Sequence, residues 1–233
     1  MIRRTFGTFI FVAFSMLHAM GQQDLSLHFM ENVVQSNNTN PARVVDRNIV
    51  FSFPGLYFNY GNNAFSYNEL IRQRSGTDST YLDIDGLIEN LKDNNILQAQ
   101  TNVEFFRLQL RFKQLYLTLH HSTKVNIIFD YPKEFVSLSW YGNAQYIGEE
   151  VEVGPAINAT FYTETAVGAA WKFDKLTVGT KLKFLNGIAD VSTEKHELNV
   201  RTDEEYYQIQ VTSDYVVNTS RSSDFAESIK LFP

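Results

Sequence analysis

Two long runs of alternating side chains lie between Ala159 and Gly187, separated only by the polar pair Asp174-Lys175. This pattern predicts a β-hairpin. Each run is longer than an average globular strand of roughly 5–6 residues, and long enough to cross a bilayer as a tilted strand of about 9–11 residues. The hairpin favours an all-β fold of the antiparallel up-and-down transmembrane β-barrel class. One face is expected to carry Phe161, Thr163, Thr165, Val167, Ala169, Trp171, Phe173, Leu176, Val178, Thr180, Leu182 and Phe184.

A second hairpin is predicted between Val103 and Thr123, because the phase of the alternation shifts after Lys113-Gln114. One face is expected to be apolar and to carry Phe106, Leu108, Leu110 and Phe112. The opposite face is expected to be mainly basic and to carry Phe105, Arg107, Gln109, Arg111 and Lys113. In a barrel the basic face lines the lumen, whereas in a soluble β-sandwich it meets water. Repetition of long hairpins favours the barrel. The charged residues then expected to face the lumen are Arg107, Arg111, Glu164, Lys181 and Lys183.

Residues 1–21 have the pattern of a Sec-type signal peptide. Arg3 and Arg4 supply a positive start, an apolar run extends from Phe6 to Leu17, and Ala19-Met20-Gly21 is a small-x-small cleavage site. A spanning anchor is disfavoured because the run is shorter than about 20 residues. We therefore predict export to the outer membrane, with residues 22–233 as one β-barrel domain.

Composition restricts the chemistry. The formal net charge is −6, and removal of Arg3 and Arg4 with the signal peptide takes it to −8. The sequence contains no run of basic residues, so nucleic acid is not expected as a partner. The absence of cysteine excludes disulfides, thiolate chemistry, cysteine-ligated metals and a lipoprotein anchor. The 19 Phe and 12 Tyr suit strands and interfacial girdles, but a secreted β-sandwich would be equally aromatic.

Two short helices are predicted between the strands. The first lies within Tyr81 to Asn94, with Asp83 or Asp85 as its N-cap. The second is predicted over Phe129 to Asn143, capped by Asp130. Inside a barrel both helices would lie in the lumen or at a rim and partly plug it. The apolar face of the first helix would comprise Leu82, Leu87, Ile88 and Leu91.

Turns and further strands are predicted towards both ends of the chain. Asn40-Pro41-Ala42 forms a turn, and the strand over Asn48 to Tyr60 is interrupted at Pro54-Gly55. Another strand is predicted over Tyr206 to Val217. Bacterial barrels usually end on a strand with a terminal aromatic residue, whereas here a proline follows at Phe232-Pro233. We therefore expect an incomplete barrel, the N-terminal part of a longer one.

No catalytic, cofactor-binding or metal-ligating set is predicted. His120-His121 would point to opposite faces of a strand and cannot chelate one ion together. Glu149, Glu150 and Glu152 could form a calcium site, but their spacing lacks the register of a dedicated loop and favours a solvated acidic loop. No motif places a nucleophile beside a base, so we expect a non-enzymatic protein.

From Asn40 to Asp190 the chain resembles an uncharacterised domain-of-unknown-function (DUF) family of bacteroidetal outer-membrane barrels. That family is distantly similar to fatty-acid-transporter-like and gliding- or secretion-associated barrels, where an Asn-Pro-Ala turn also occurs near the mature N-terminus. Its members are generally longer than this chain, and it supplies no catalytic residues. The segments that carry the resemblance, in order, are Asn40-Pro41-Ala42, Pro54-Gly55-Leu56, Phe65-Ser66-Tyr67-Asn68-Glu69, Leu82 to Leu91, Tyr131-Pro132-Lys133-Glu134, Gly142-Asn143 and Asp174 to Gly187.

The sequence thus supports three hypotheses. The first is an outer-membrane barrel that acts as a channel or carrier for small or apolar solutes, with membrane lipid and the solute as partners. The second is a structural or secretion-associated barrel that binds a partner protein. The third is a soluble secreted β-sandwich that acts as a binding module.

Overall fold

The computed structural model describes residues 27–28, 30 and 32–221. The predicted signal peptide and the Phe232-Pro233 end lie outside these residues. The described chain is mostly antiparallel β-structure with two short helices and a single helical turn over Tyr67–Leu70. Among the described residues no helix is both long and apolar enough to span a membrane.

Within the described residues, eight strands form one sheet and two short strands form another. Along the larger sheet the order is β1-β5-β6-β8-β9-β10, with β2 also paired to β5 and β7 to β9. From β5 onwards, strands that are neighbours in the sheet also follow one another along the chain, apart from the short β7. This order is an up-and-down arrangement. The strands are β1 (Ile49–Ser52), β2 (Gly55–Asn62), β3 (Ile71–Gln73), β4 (Thr80–Leu82), β5 (Asn94–Phe112), β6 (Leu115–Pro132), β7 (Glu150–Glu152), β8 (Ala156–Lys172), β9 (Thr177–Thr202) and β10 (Ile209–Arg221).

Both predicted hairpins are confirmed. The turn between β8 and β9 is closed by a hydrogen bond from the N–H of Phe173 to the carbonyl of Leu176, 2.7 Å long. Between β5 and β6 the turn places Lys113 at a φ of 57°, in the left-handed region that few non-glycine residues adopt. Strand β9 has 26 residues, because the loosely alternating stretch after Gly187 continues it.

The prediction of the second helix was wrong at its start. Residues from Phe129 to Pro132 belong to β6, and the helix, α2, spans Lys133–Tyr141. Asp130 is therefore not the cap; Pro132 occupies that position without a side-chain hydrogen bond. A proline cannot donate to a strand ladder, whereas its fixed φ suits a helix start, so it marks the change from strand to helix. The predicted end is confirmed, since Gly142 has a φ of 78° and follows the last helical residue.

The first helix, α1, spans Ile84–Asn90. The predicted cap is confirmed at Asp83, whose carboxylate accepts a hydrogen bond from the N–H of Gly86 at 3.1 Å. Leu82 was wrongly placed on the helix, because it belongs to β4 and is 61% exposed. The buried cluster around α1 consists of Ala64, Leu87, Ile88 and Leu91.

The chain divides into two compact units, and the long strands contribute residues to both. The first unit contains the described residues up to Gly55 together with Glu104–His121 and Thr165–Phe184. The second contains Leu56–Val103, Ser122–Glu164 and the described residues from Leu185 to Arg221. In the first unit β1 pairs with β5, so the predicted strand that breaks near Pro54 is confirmed as two strands.

In the second unit β9 and β10 pair from Ala189 opposite Arg221 to Thr202 opposite Ile209. The last predicted strand therefore begins three residues later than Tyr206. The reason is a turn at Asp203, whose side chain accepts hydrogen bonds from the N–H groups of two following residues at 2.9 and 2.8 Å. These bonds lower the pKa of Asp203 below its ordinary value and hold the backbone out of the ladder.

Candidate functional site

The long strands of the first unit bury a polar face and expose an apolar face. We name the buried side the inward face and the exposed side the outward face. A sheet in water normally does the reverse. The polar members of the inward face are Glu104, Arg107, Gln109, Thr118 and His120, each at most 5% exposed. The large apolar members of the outward face, between 39% and 66% exposed, are Phe105, Phe112, Leu117, Val167, Trp171, Val178, Leu182 and Phe184.

Arg107 is completely buried and is the centre of the inward face. Its Nε donates to both carboxylate oxygens of Glu104 at 3.1 Å, and its Nη2 donates to the same carboxylate. Nη2 also donates to Oδ1 of Asn38 at 2.6 Å. The carboxylate of Glu104 accepts a further hydrogen bond from Nε2 of Gln35 at 3.3 Å. A buried charge is tolerated when it is paired and hydrogen-bonded in this way.

Glu104 and Arg107 share a face although they lie three positions apart in one strand. Strict alternation would separate them, and the prediction that Phe105 shares the basic face was wrong. The ring of Phe105 is half-exposed and stacks on His121 at 5.6 Å, and Phe106 stacks on the same ring at 6.2 Å. The alternation therefore slips by one residue at Phe105-Phe106, as it does at a β-bulge.

Residues 33–47, which we name the N-terminal segment, contact the inward face. The predicted Asn-Pro-Ala turn is confirmed, because the N–H of Ala42 donates to Oδ1 of Asn40 at 2.9 Å. Asn37 is buried, and its Nδ2 donates to two carbonyl oxygens, those of Pro41 and Arg43, at 3.0 Å each. These bonds shape the segment before it reaches the strands.

Side chains of β5 and β9 then fix the N-terminal segment in place. The amide of Gln109 makes two hydrogen bonds to the backbone of Val45, accepting from its N–H at 3.1 Å and donating to its carbonyl at 2.7 Å. Nζ of Lys181 donates to the carbonyl of Asn37 at 2.7 Å. Together with the hydrogen bonds that join Arg107 to Asn38 and Gln35 to Glu104, these contacts bind the segment to the inward face.

Asp46, near the C-terminal end of the N-terminal segment, makes the last of the contacts between this segment and the strands. Its carboxylate pairs with Lys172 at 2.9 Å and with Arg111, and it accepts a hydrogen bond from the hydroxyl of Tyr116 at 3.3 Å. The guanidinium of Arg111 also lies over the Tyr116 ring, 5.5 Å from its centre. The hydrogen bond from Lys172, followed by the charge of Arg111, lowers the pKa of Asp46 below its ordinary value of 3.8.

Acidification is expected to release the N-terminal segment at Asp46. A carboxyl group whose pKa is lowered on folding stabilises the folded state above the unfolded pKa, and that stabilisation is lost as the pH falls through the folded pKa. The contact should be complete at neutral pH and weaken below about pH 4. A spin label on Val44→Cys, in a chain without native cysteine, will report the release as increased mobility.

Asp46→Asn tests this assignment directly. In this variant a spin label at residue 44 should already be mobile at neutral pH, and its mobility should change little when the pH is lowered. Asp174→Asn is the control, because Asp174 lies in the β8–β9 turn and has no part in the contact. A label that stays immobile at neutral pH in Asp46→Asn would contradict the role given to the ion pairs.

Gly179 on β9 provides the close approach that seats the turn of the N-terminal segment. A Cβ atom there would lie 2.5 Å from the carbonyl oxygen of Pro41 and 2.7 Å from the backbone nitrogen of Ala42. Both atoms belong to the backbone, so the turn itself would have to move. We expect Gly179→Ala to lower the free energy of unfolding by about 1–3 kcal/mol and to mobilise a label at Val44.

Gly187→Ala is the matched control for this substitution. It lies on the same strand, and a Cβ atom there meets nothing within 4 Å. It should be neutral or slightly stabilising, because alanine restricts the unfolded chain more than glycine does. Equal denaturant midpoints for the two variants would show that the turn is not seated against β9.

The five charged residues predicted to face a lumen occupy different settings. Glu164 is buried in the second unit, where it pairs with Lys124 at 2.9 Å. Lys183 is exposed on β9. Whether the set lines a lumen stays a prediction. The three members that contact the N-terminal segment are Arg107, Arg111 and Lys181.

Sequence reasoning missed the partners of these cations. Glu104 was hidden by the slip in β5, because strict alternation places it on the face opposite Arg107. Asp46 lies in a stretch with no periodicity. The run of amides at Asn37 to Asn40 is the feature that could have indicated a segment rich in side-chain hydrogen bonds.

No metal site is formed by the residues that the structure describes, since no group of three or more His, Asp or Glu side chains converges on one point. Glu149, Glu150 and Glu152 are exposed. The last two lie on β7, opposite Arg201 and Asn199 of β9. This arrangement gives the calcium interpretation no support.

Fold and site together define an antiparallel β protein whose long strands bury charge and expose apolar side chains. The chain belongs to the DUF5723 family, a family of unknown function, whose model matches residues 41–230. The match begins within the Asn-Pro-Ala turn and extends through β10. Neither the curated proteins nor the solved structures gave a match.

Proposed function

We propose that this chain is an outer-membrane β-barrel protein that carries small or apolar solutes, exported by the signal peptide over residues 1–21. The observation that carries the proposal is the polarity of the long strands in the first unit. The inward face holds a buried Arg107–Glu104 pair, and the outward face is aliphatic and aromatic. In a bilayer the outward face meets acyl chains and the inward face meets a polar interior.

The alternative of a soluble sheet fits this polarity poorly. Large contiguous apolar surfaces are rare on soluble monomers and usually mark interaction sites. Residues such as Trp171, Leu182 and Phe184 are between 47% and 66% exposed on neighbouring strands. Surrounding lipid would remove this area from water, whereas a soluble protein would leave it exposed.

Strand length gives a second argument. The four long strands have between 17 and 26 residues. A tilted membrane strand needs about 9–11 residues, so each of these can cross the hydrocarbon layer and continue beyond it. Antiparallel pairing joins each long strand to its neighbours, and β10 covers residues 189–202 of β9, whereas lipid requires the remaining strand edges to be paired as well.

The N-terminal segment favours a carrier over an open pore. It occupies the inward face through Gln109, Lys181 and Arg107, so the interior of the first unit is not free for bulk flow. Passage of a solute along this face would require the segment to move. Neutralising its contacts, as in Asp46→Asn, is therefore expected to increase solute passage.

The proposal is tested on the native protein by fractionation and by uptake into liposomes. We expect the protein in the outer membrane, with heat-modifiable migration on gels, and uptake of a small apolar solute that rises in Asp46→Asn. A periplasmic product whose migration does not change on heating would contradict membrane insertion. Membrane insertion without uptake in either variant would contradict the carrier role and leave the partner-binding barrel as its replacement.

A further inference from the structure

A cleft of about 440 Å³ lies in the first unit beside the turns of its two hairpins. The backbone joins the two turns there, because the N–H of Lys172 donates to the carbonyl of Gln114 at 2.9 Å. Cationic and aromatic side chains line the same cleft. The lining residues that matter are Arg111, Lys113, Trp171, Lys172, Phe173 and Asp174.

Positive charge is in excess at this cleft. Its three cations face two carboxylates, Asp174 in the lining and Asp46 paired with Arg111 and Lys172. Lys113 has no ion pair with any residue that the structure describes. In a chain whose formal net charge is −6, such a local excess favours an anionic ligand.

The turn backbone holds the Arg111 guanidinium in place. Nε of Arg111 donates to the carbonyl of Lys113 at 2.9 Å, and Lys113 is fixed at a φ of 57° in the turn. Asp46 and the Tyr116 ring hold the other end of the Arg111 guanidinium. The Arg111 guanidinium is thus ordered before a ligand arrives, which reduces the entropic cost of binding.

Aromatic side chains border the cations on the outward side. Trp171 and Phe173 are 47% and 53% exposed, and Phe112 is 57% exposed at the end of β5. Aromatic rings at the ends of membrane strands lie at headgroup level, next to the first segments of acyl chains. A free anion would use the cations alone, whereas a lipid would use both the cations and the rings.

We propose that this cleft binds the phosphate of an anionic glycerophospholipid, with its acyl chains against Trp171 and Phe173. The inference rests on the proposed membrane location. Two residues join β5 to β6 and four join β8 to β9, and such short turns are typical of the periplasmic side of outer-membrane barrels. Phospholipid is the lipid expected at that side.

Tryptophan quenching in lipid vesicles tests the proposal. The chain has two tryptophans, so Trp140→Phe leaves Trp171 as the only reporter. Vesicles of phosphatidylcholine with phosphatidylglycerol carry bromine on the acyl chains of one lipid or the other, at equal mole fraction. We expect brominated phosphatidylglycerol to quench Trp171 more strongly than brominated phosphatidylcholine, because the site enriches the anionic lipid.

Lys113→Gln should remove most of this preference, with relative affinity for the anionic lipid falling roughly 5-fold, which corresponds to about 1 kcal/mol per cation at an anionic surface. Lys175→Gln is the control, since Lys175 is exposed in the neighbouring turn but does not line the cleft. Equal quenching by the two brominated lipids would overturn the inference. So would an equal effect of the two lysine substitutions, which would indicate general surface attraction.

Two further outcomes separate the sources of failure. Saturable binding of inorganic phosphate in detergent, lost in Lys113→Gln and accompanied by no lipid preference, would assign the cleft to free phosphate and overturn the lipid. Absence of Trp171 quenching by either lipid would instead contradict the membrane location itself. Quenching by both lipids without preference would leave that location intact.

Discussion

Leu182→Arg is expected to lower the free energy of unfolding in lipid vesicles by about 2–4 kcal/mol if the residue lies near the bilayer midplane, and by less towards an interface. Leu182 lies on the outward face of β9 and is 66% exposed. In lipid this position is surrounded by hydrocarbon, where a guanidinium is poorly solvated. Leu108→Arg on β5 should have a comparable effect. Urea unfolding of the vesicle-inserted protein measures both.

Leu82→Arg is the control for this prediction. Leu82 is 61% exposed, much like Leu182, but it lies on the short strand β4 rather than on a long strand. Its substitution should change stability by no more than about 0.5 kcal/mol, as is usual for a solvated surface position. If all three substitutions are equally neutral, the outward face does not meet lipid and the soluble sandwich becomes the better interpretation.

Strand periodicity is where the sequence predicts this fold best. An alternation that repeats every two residues is a local property, so the β8–β9 hairpin and the turn at Lys113 could be located without knowledge of packing. The cap at Asp83 and the stop at Gly142 are equally local, because each satisfies backbone groups within one turn of its helix.

Prediction failed where a local pattern had two readings. Residues from Phe129 to Pro132 suit either a strand or a helix start, and pairing within the sheet decided for the strand. The slip at Phe105-Phe106 has no signature in composition, since both residues are phenylalanine. The burial of Glu104 beside Arg107 and the exposure of Phe105 reveal it.

The candidate site was only half predictable for a different reason. Alternation identified Arg107, Arg111 and Lys181 as members of one polar face, but it could not supply their partners. Asp46 is 126 residues from Lys172, and Asn37 is 144 residues from Lys181. Such contacts depend on how the chain returns to the sheet, which no local pattern encodes.

Arg107→Met is expected to produce the largest loss, about 3–5 kcal/mol in the free energy of unfolding, because it leaves a buried carboxylate without its cation. Glu104 is 5% exposed and would retain only the hydrogen bond from Gln35. The contact to Asn38 would also be lost, so a label at Val44 should become more mobile. Urea unfolding and spin-label mobility measure the two effects separately.

The double variant Glu104→Gln with Arg107→Met decides where this loss arises. Removing both charges leaves no uncompensated ion, so the double variant should recover most of the stability while the contact to Asn38 stays broken. Arg111→Met is the second comparison: its partner Asp46 is exposed to water, so it should cost at most about 1 kcal/mol. If the double variant is as unstable as Arg107→Met alone, the loss comes from the seating of the N-terminal segment rather than from the buried carboxylate. In that case the inward face is stabilised mainly by the segment, and the Arg107–Glu104 pair contributes chiefly by orienting Arg107 towards Asn38.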